Sequence, residues 1–144
     1  MIFLNGVIMN IFSFSYLPQE AFEIRKTVFM DEQGFVDEMD DIDSKATHFL
    51  VFDGDNAIAT CRIFSKDEEL FLGRFAVLKE YRNKGIGRLL LSFVEETALK
   101  MGYNSIKLHS QIRARDFYQK CGFVPFGEVE LEENYPHIWM MKDF

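Results

Sequence analysis

Cysteine is scarce in this chain of 144 residues, which contains only Cys61 and Cys121. The two thiols lie far apart in the sequence, and neither belongs to a Cys-x-x-Cys pair or to a group of histidines, the pattern of a structural zinc site. We therefore predict that the protein binds no metal. Two distant thiols also give no disulfide framework, so we interpret both as reduced thiols of the core, as is typical of a cytoplasmic protein.

Positive charge is also in short supply. Lysine and arginine together number 16 against 23 aspartates and glutamates, which gives a formal net charge of −7 and a pI near 5.0. Proteins that bind the nucleic-acid backbone need a basic face. We therefore expect no nucleic-acid partner.

The chain lacks a long hydrophobic run. Its first nineteen residues carry no charged side chain, but Asn5, Asn10 and Pro18 interrupt them, and no basic segment precedes them. This stretch is too short for a membrane span and lacks the features of a signal peptide. We predict no membrane partner and a cytoplasmic location. Either Met1 or Met9 could be the natural start, so we treat residues 1–9 as an N-terminal extension.

What the chain has in abundance is core-forming residues: 48% are hydrophobic and 16 are phenylalanine. This composition is enough for one globular domain, which we place at residues 10–144. Hydrophobic spacing predicts helices at residues 19–33, 87–101 and 111–121, and strands at 11–16, 47–53, 57–64, 70–78, 105–109, 123–127 and 137–142. Hairpins come early and strand–helix–strand units late, an order that predicts an α/β domain with a mixed sheet. Residues 31–43, with seven acids and no base, are predicted to form a loop or a frayed helix.

A basic turn with two glycines stands between a predicted strand and a long amphipathic helix. Gly85 and Gly87 allow a tight turn and a close approach of the main chain to a ligand. The first amides of the helix are free to bind an anion, and Arg82, Lys84 and Arg88 add positive charge at the same place. The segment therefore predicts a phosphate-binding turn.

Two nucleotide-binding motifs fit this turn poorly. A P-loop requires a lysine and a hydroxyl residue after its last glycine, whereas Arg88 and Leu89 follow Gly87. A dinucleotide fingerprint requires a third small residue, where this chain has Leu90. An ATP-binding protein stays open as a distant alternative, and it predicts competition between magnesium-ATP and coenzyme A.

Residues 82–87, Arg-Asn-Lys-Gly-Ile-Gly, resemble the Arg/Gln-x-x-Gly-x-Gly/Ala pyrophosphate loop of the GNAT acyl-CoA-dependent N-acyltransferases. Residues 111–123 resemble that family's Asn-x-x-Ala-x-x-Phe-Tyr-x-x-x-Gly-Phe block, with Gln111 in place of the usual asparagine. Residues 28–34, 108–111 and 136–142 are similar to a small ElaA-like branch of the superfamily. The resemblance covers about residues 10 to 144.

The resemblance implies a GNAT fold, a mixed and mostly antiparallel twisted sheet that is splayed between its fourth and fifth strands and flanked by helices. It implies an N-acetyltransferase that moves the acetyl group of acetyl-CoA, its co-substrate, to a primary amine by direct attack in a ternary complex. The acceptor is open: a polyamine, an aminoglycoside-like amine, an amino acid or a protein terminus. A homodimer is also left open.

By the same resemblance, exposed main-chain groups of one strand pair with the pantetheine arm of the cofactor, and the amide of Val77 polarises the thioester carbonyl. The main-chain amides of the basic turn hold the diphosphate. The implied cofactor-binding residues are Phe75, Ala76, Val77, Arg82, Asn83, Lys84, Gly85, Ile86, Gly87, Arg88, Gln111 and Tyr118.

The catalytic acid implied by the resemblance is Tyr118, whose phenol would protonate the departing thiolate. Many family members carry a glutamate base on the strand before the loop, but residues 71–76 contain no carboxylate. Glu32 and His109 are the first candidates for substrate handling, and His137 is the next. Arg74 is interpreted either as the partner of a carboxylate or as a substrate contact. Because the usual base is missing, a non-catalytic acyl-CoA-binding sensor or scaffold is the main alternative.

Overall fold

The computed structural model describes residues 2–36 and 39–144. Within them, eight strands form a single sheet with the order β1-β2-β3-β4-β5-β6-β8-β7. The strands are β1 (Ile2–Leu4), β2 (Val7–Phe14), β3 (Thr47–Asp53), β4 (Asn56–Lys66), β5 (Glu69–Val77), β6 (Ser105–Gln111), β7 (Val124–Glu132) and β8 (Tyr135–Asp143). The helices are α1 (Gln19–Arg25), continued by a π-helix at Lys26–Glu32, then α2 (Ile86–Lys100) and α3 (Arg115–Lys120). Short 3-10 turns lie at Asp41–Ser44, Lys79–Tyr81 and Ile112–Ala114.

The predicted α/β GNAT architecture, with its mixed and mostly antiparallel sheet, is confirmed. All neighbouring strands are antiparallel except β5 and β6, which run parallel. These two strands pair only at Phe71 with Lys107 and at Leu72 with Leu108. They are the fourth and fifth strands when counting starts at β2, so the sheet opens where the family resemblance implies.

Both faces of the central sheet are buried. In β3, the successive residues Phe49, Leu50 and Val51 are all fully buried. Phe49 and Val51 belong to the main core beneath α2 and α3, whereas Leu50 packs with α1. A strand covered on both faces loses the alternation of polar and apolar residues, and this explains the continuous apolar run in its sequence.

The first residues of the chain form strands. Asn5 and Gly6 both have positive φ, 51° and 79°, and they join Leu4 to the paired Val7. An Asn-Gly pair in this conformation is the two-residue turn favoured in hairpins. β2 therefore begins at Val7, earlier than predicted, and Met9 is buried in the core. The division of the chain into residues 1–9 and a domain from residue 10 stays a prediction.

Other boundaries also differ from the sequence prediction. β7 and β8 are longer than expected and meet at a turn in which Glu133 and Asn134 have positive φ. The acidic composition of residues 128–133 conceals this strand. α3 starts at Arg115, after Gln111 ends β6 and a 3-10 turn follows it.

The acidic segment, residues 31–43, contains the end of the π-helix and most of the 3-10 turn at Asp41–Ser44. Its acids Asp37 and Glu38 lie outside the described residues. No helix in the described part of the chain combines the length and the apolar character that a bilayer crossing needs.

Candidate active site

A cavity of about 640 Å³ lies where β5 and β6 part. Its wall comes from the π-helix, the acidic segment, the strands β4, β5, β6 and β8, and the start of α3. Three regions bear on function: the edge of β5, the turn that follows it and reaches the cavity through Arg82, and a group of aromatic and ionisable side chains on the neighbouring strands.

The edge of β5 is shaped by a bulge. Between the pairs Thr60–Ala76 and Arg62–Gly73, β5 contains one residue more than β4. Arg74 lies in this segment and has a positive φ of 51°. A bulge of this kind bends its strand and increases the local twist. Beyond it, β5 stays paired with β4 at Ala76 and Val77, whereas its pairing with β6 has ended at Leu72.

The end of β5 has main-chain groups that point away from β4. Leu78 donates its amide to the carbonyl of Ile58 on β4, at 2.9 Å. Successive residues of a strand point their main-chain groups to opposite sides, so those of Val77 face away from β4. Consistent with this, the Val77 carbonyl accepts a hydrogen bond from the Nε of Arg82, at 2.9 Å. No β6 residue pairs with β5 after Leu72 in the described structure.

The two glycines of the basic turn are required for different reasons. Gly85 has a positive φ of 84° and precedes α2 without a side-chain cap. The first helical bond runs from the Leu89 amide to the Gly85 carbonyl. The three amides before Leu89 therefore lack helical acceptors. A Cβ atom on Gly87 would come within 2.9 Å of the Phe117 ring, so this glycine lets α2 pack against α3.

Arg82 and Glu32 form an ion pair beside this turn. The guanidinium contacts both carboxylate oxygens, at 3.1 and 3.0 Å. Because the same guanidinium also holds the Val77 carbonyl, Arg82 joins the π-helix to the end of β5. The structure therefore brings Glu32 to the cavity as the partner of an arginine. Lys84 and Arg88 are exposed on the turn, as is Asn83, whose φ is also positive.

Tyr118 lies on α3 and lines the cavity, with only 7% of its surface exposed. Phe75, Phe117 and Phe123 surround its ring at centroid distances of 5.9, 5.2 and 5.6 Å. This burial raises the pKa of the phenol well above its ordinary value of 10, with a smaller contribution from the nearby thiols of Cys61 and Cys121. The phenol is thus held in its protonated form.

His109 and His137 lie side by side with ring centroids 5.0 Å apart. The Nδ1 atom of His109 is 3.2 Å from Oε2 of Glu132, and the same oxygen lies 3.6 Å from Nε2 of His137. Oε2 of Glu130 is 3.7 Å from Nε2 of His109. The pairing of β6 with β8 and of β8 with β7 places these side chains on one face of the sheet.

Gln111 lines the same cavity. Its amide nitrogen donates to Oε1 of Gln33 at 2.7 Å, and its own Oε1 accepts from Nε of Arg113 at 2.8 Å. Tyr135 donates its hydroxyl to the Gln33 carbonyl. Gln33, at the end of the π-helix, thus joins Gln111 at the end of β6 to Tyr135 at the start of β8. Its assignment to the cofactor stays a prediction.

A buried ion network forms the opposite wall. Asp43 accepts hydrogen bonds from Arg25 and Arg62, and Asp40 accepts from Arg62 and Arg74. Burial alone would raise the pKa of Asp43, but the hydrogen bonds from the two buried arginines outweigh it and hold the pKa below its usual value. The hydrogen bond from Arg62 likewise lowers the pKa of Asp40. Arg74 is interpreted from the sequence either as the partner of a carboxylate or as a substrate contact, and the structure shows it as the partner of Asp40.

Several residues of the cavity carry no signal in the sequence. Trp139 stacks on His109 at 4.6 Å, Glu132 contacts both histidines, and Arg62 holds Asp40. Trp139 is the chain's only tryptophan and lies two residues after His137, which is the one hint the sequence offers. Within residues 2–36 and 39–144, no group of three or more His, Cys, Asp or Glu side chains is arranged to hold a metal ion.

Comparison with known proteins supports the same family. The sequence profile of the Acetyltransferase (GNAT) family matches residues 9–123. The uncharacterized N-acetyltransferase YjcF of Bacillus subtilis is 34% identical over 128 residues, covering 87% of this chain and 91% of that protein. ElaA of Escherichia coli is 31% identical over 128 residues, covering 84% of each.

Solved structures agree. The crystal structure of E. coli ElaA superimposes with a TM-score of 0.84 at 27% identity, over 94% of this chain and 100% of that one. A GNAT family acetyltransferase from Elizabethkingia anophelis, with acetyl-CoA bound, shares the fold with a TM-score of 0.71 at 16% identity, over 94% and 98% of the two chains. The profile match, the relatives and the splayed sheet agree, and the chain belongs to the GNAT family of acyl-CoA-dependent acetyltransferases.

Proposed function

We propose that this protein transfers the acetyl group of acetyl-CoA to a primary amine by direct attack in a ternary complex. The observation that carries the proposal is the path of the chain after Phe75, the last β5 residue that lines the cavity. The unpaired edge of β5 leads directly into a positive-φ turn with free helix amides. A thioester extended along that edge would place its diphosphate at the turn and its acetyl group beside Tyr118.

The cofactor would be held mostly by main-chain groups. Residues 75–77 of β5 would pair with the pantetheine arm as an added strand would, and the amide of Val77 would donate to the thioester oxygen. The amides at Ile86, Gly87 and Arg88 would bind the diphosphate, because a helix start with unpaired amides favours an anion. Acetyl-CoA bound to the E. anophelis protein of the same fold supports acetyl-CoA as the co-substrate.

In the chemical step, the amine nitrogen attacks the thioester carbonyl carbon, and the new C–N bond forms as the C–S bond breaks. The thiolate takes the phenol proton of Tyr118, and the nitrogen gives up one proton to a base. The apolar surroundings that raise the pKa of Tyr118 also disfavour a thiolate, so both partners of the transfer are destabilised as anions. Between turnovers, the phenol regains its proton from solvent.

The proposed base is His109. If its Nδ1–H donates to Glu132, the lone pair is on Nε2, which has no hydrogen-bond partner among the described residues. Glu130, 3.7 Å away, would stabilise the imidazolium once that atom takes a proton. Both oxygens of Glu32 are instead engaged by Arg82, so we assign Glu32 to positioning.

The test is Tyr118→Phe, assayed by release of free thiol from acetyl-CoA in the presence of a panel of primary amines. Loss of a positioned proton donor is expected to lower kcat by about 100-fold. Affinity for acetyl-CoA, measured by calorimetry, is expected to stay unchanged because the ring and its packing remain. Tyr103→Phe removes a hydroxyl from a tyrosine that packs against the core but does not line the cavity, and serves as the control.

Two results would count against the proposal. Equal turnover in the wild type and Tyr118→Phe would remove the phenol from the reaction. Binding of acetyl-CoA without turnover on any amine would support the non-catalytic sensor or scaffold instead.

A further inference from the structure

The acceptor side of the cavity has a floor of stacked rings. Phe64 stacks on Phe71 with centroids 5.5 Å apart, and Phe71 meets Trp139 edge to face at 5.9 Å. Trp139 in turn stacks on His109 at 4.6 Å with planes inclined by only 21°. All four rings line the cavity and are half-buried. We call these four residues the aromatic floor.

The floor is continuous because the register of the strands aligns it. Phe64 pairs with Phe71 across β4 and β5, and Trp139 pairs with His109 across β8 and β6. Residues directly opposite in neighbouring strands point to the same face. The rings therefore form one surface across the opening of the sheet. A flat apolar group can lie on such a surface, and stacked aromatic pairs gain energy beyond the area they bury.

The cationic side chains around this floor already have partners. Arg62 is held by Asp40 and Asp43, and Arg82 by Glu32. Arg113 donates to Gln111 and lies over the Tyr135 ring. Arg74 likewise donates to Asp40. Arg62, Arg74 and Arg82 are thus paired with carboxylates, whereas the contacts of Arg113 are a neutral amide and a ring.

The end of the aromatic floor at His109 carries negative charge. Glu130 and Glu132 are 60% and 50% exposed in their side chains, and no described residue other than His109 or His137 contacts their carboxylates. A histidine that serves as a base must be neutral before it acts. The Glu132 carboxylate then lines the cavity without a cation, and the Glu130 carboxylate lies 3.7 Å from the neutral His109 ring. This charge is complementary to an ammonium group.

We propose that the acceptor is a primary amine carried on a flat apolar group, an arylalkylamine. Its ring lies on the aromatic floor, and its ammonium faces Glu132, with Glu130 nearby. The ammonium releases one proton to solvent before the attack, and His109 takes the second proton as the neutral amine forms the C–N bond. The inference rests on the proposed function, which it extends by naming the acceptor class. An amino acid would bring its own carboxylate against the same glutamates, and a polyamine would leave the floor uncovered.

The fluorescence of Trp139 reports ligand binding to the aromatic floor without turnover, because Trp139 is the only tryptophan in the chain. The full-length protein, saturated with coenzyme A so that no transfer occurs, is titrated with 2-phenylethylamine while the tryptophan emission is recorded. Three matched probes isolate the features of the ligand. They are 2-cyclohexylethylamine without aromaticity, 2-phenylethanol without charge, and phenylalanine with an added carboxylate.

We expect a saturable change in emission with 2-phenylethylamine and at least about fivefold weaker binding of each of the other probes. Phe71→Leu is expected to weaken 2-phenylethylamine about fivefold while leaving 2-cyclohexylethylamine little changed. Glu132→Gln is expected to weaken both amines by a similar factor and to leave the alcohol unchanged. The controls are Phe12→Leu, an exposed ring on β2, and Glu128→Gln, which removes the same charge from the same strand.

Equal affinity for all four probes, or tighter binding of phenylalanine, would overturn the inference. If the protein acetylates a polyamine and 2-phenylethylamine leaves the emission unchanged, the acetyltransferase function stands and the acceptor class is wrong. If coenzyme A itself does not bind, the proposed function fails, and titration of the free protein still reports on the floor.

Discussion

The two ends of the cavity are built in opposite ways. The proposed cofactor end consists of main-chain groups from one short segment, residues 75–88, whose shape is fixed by a bulge and by a glycine with positive φ. The acceptor end consists of side chains from β4, β5, β6, β7 and β8, which meet only because the strand registers align them. The first can keep its ligand while its side chains change. We expect the second to depend on the identity of its side chains.

The buried ion network sets the stability of the acceptor end, so breaking it is expected to have the largest effect. Asp43→Asn removes the charge that faces Arg25 and Arg62, both at least 97% buried. Leaving two buried cations short of a partner is expected to lower the free energy of unfolding by about 3 kcal/mol. Urea unfolding at pH 7 measures it, with Asp55→Asn in an exposed turn as the control.

The pH dependence sharpens this test. The pKa of Asp43 is lower in the folded protein than in the unfolded chain, so its contribution is present above the unfolded value of about 4 and is lost as pH falls through the folded value. The gap between wild type and variant should therefore narrow below about pH 4. A gap that stays constant down to the acid transition would show that packing, not charge, causes the loss.

Variants of His109 and Glu32 test which of the two residues acts as the base and which supports the cofactor end. His109→Gln is expected to lower kcat by about 100-fold at neutral pH, because a positioned base is lost. Glu32→Gln is expected to change kcat by less than about threefold and mainly to weaken acetyl-CoA, since Glu32 acts through Arg82. The measurement is kcat and KM for each substrate. The reverse result, with the larger kcat loss in Glu32→Gln, would make Glu32 the base.

The cofactor end is tested through its backbone. Gly85→Val forces a β-branched residue into a positive φ of 84°, a strain of about 2 kcal/mol, so we expect about 30-fold weaker acetyl-CoA binding by calorimetry. Gly54→Val imposes the same kind of strain in an exposed hairpin turn, φ 59°, and should cost stability without changing affinity. Equal acetyl-CoA affinities of Gly85→Val and Gly54→Val would show that the Gly85 turn does not bind the cofactor.

The sequence determined the features that depend on neighbouring residues. The glycines of the turn, the apolar face of Ala21, Ile24, Val28 and Phe29, and the strand at Thr47–Asp53 follow from local conformational preference and hydrophobic spacing. The family and its splayed sheet followed from two motifs in the right order. The Asn5-Gly6 hairpin was also readable, but the uncharged start of the chain concealed it.

Only the tertiary structure decided what the acceptor end contains. Trp139 stacks on His109 because the register of β6 with β8 pairs the two residues. Glu132 contacts both histidines because a bulge in β7 near Gly127 shifts its register with β8. Arg82 of the basic turn pairs with Glu32, 50 residues away in the sequence, because the fold brings the π-helix beside that turn. A one-residue change of register would move these side chains to the opposite face, and no local pattern encodes that alignment.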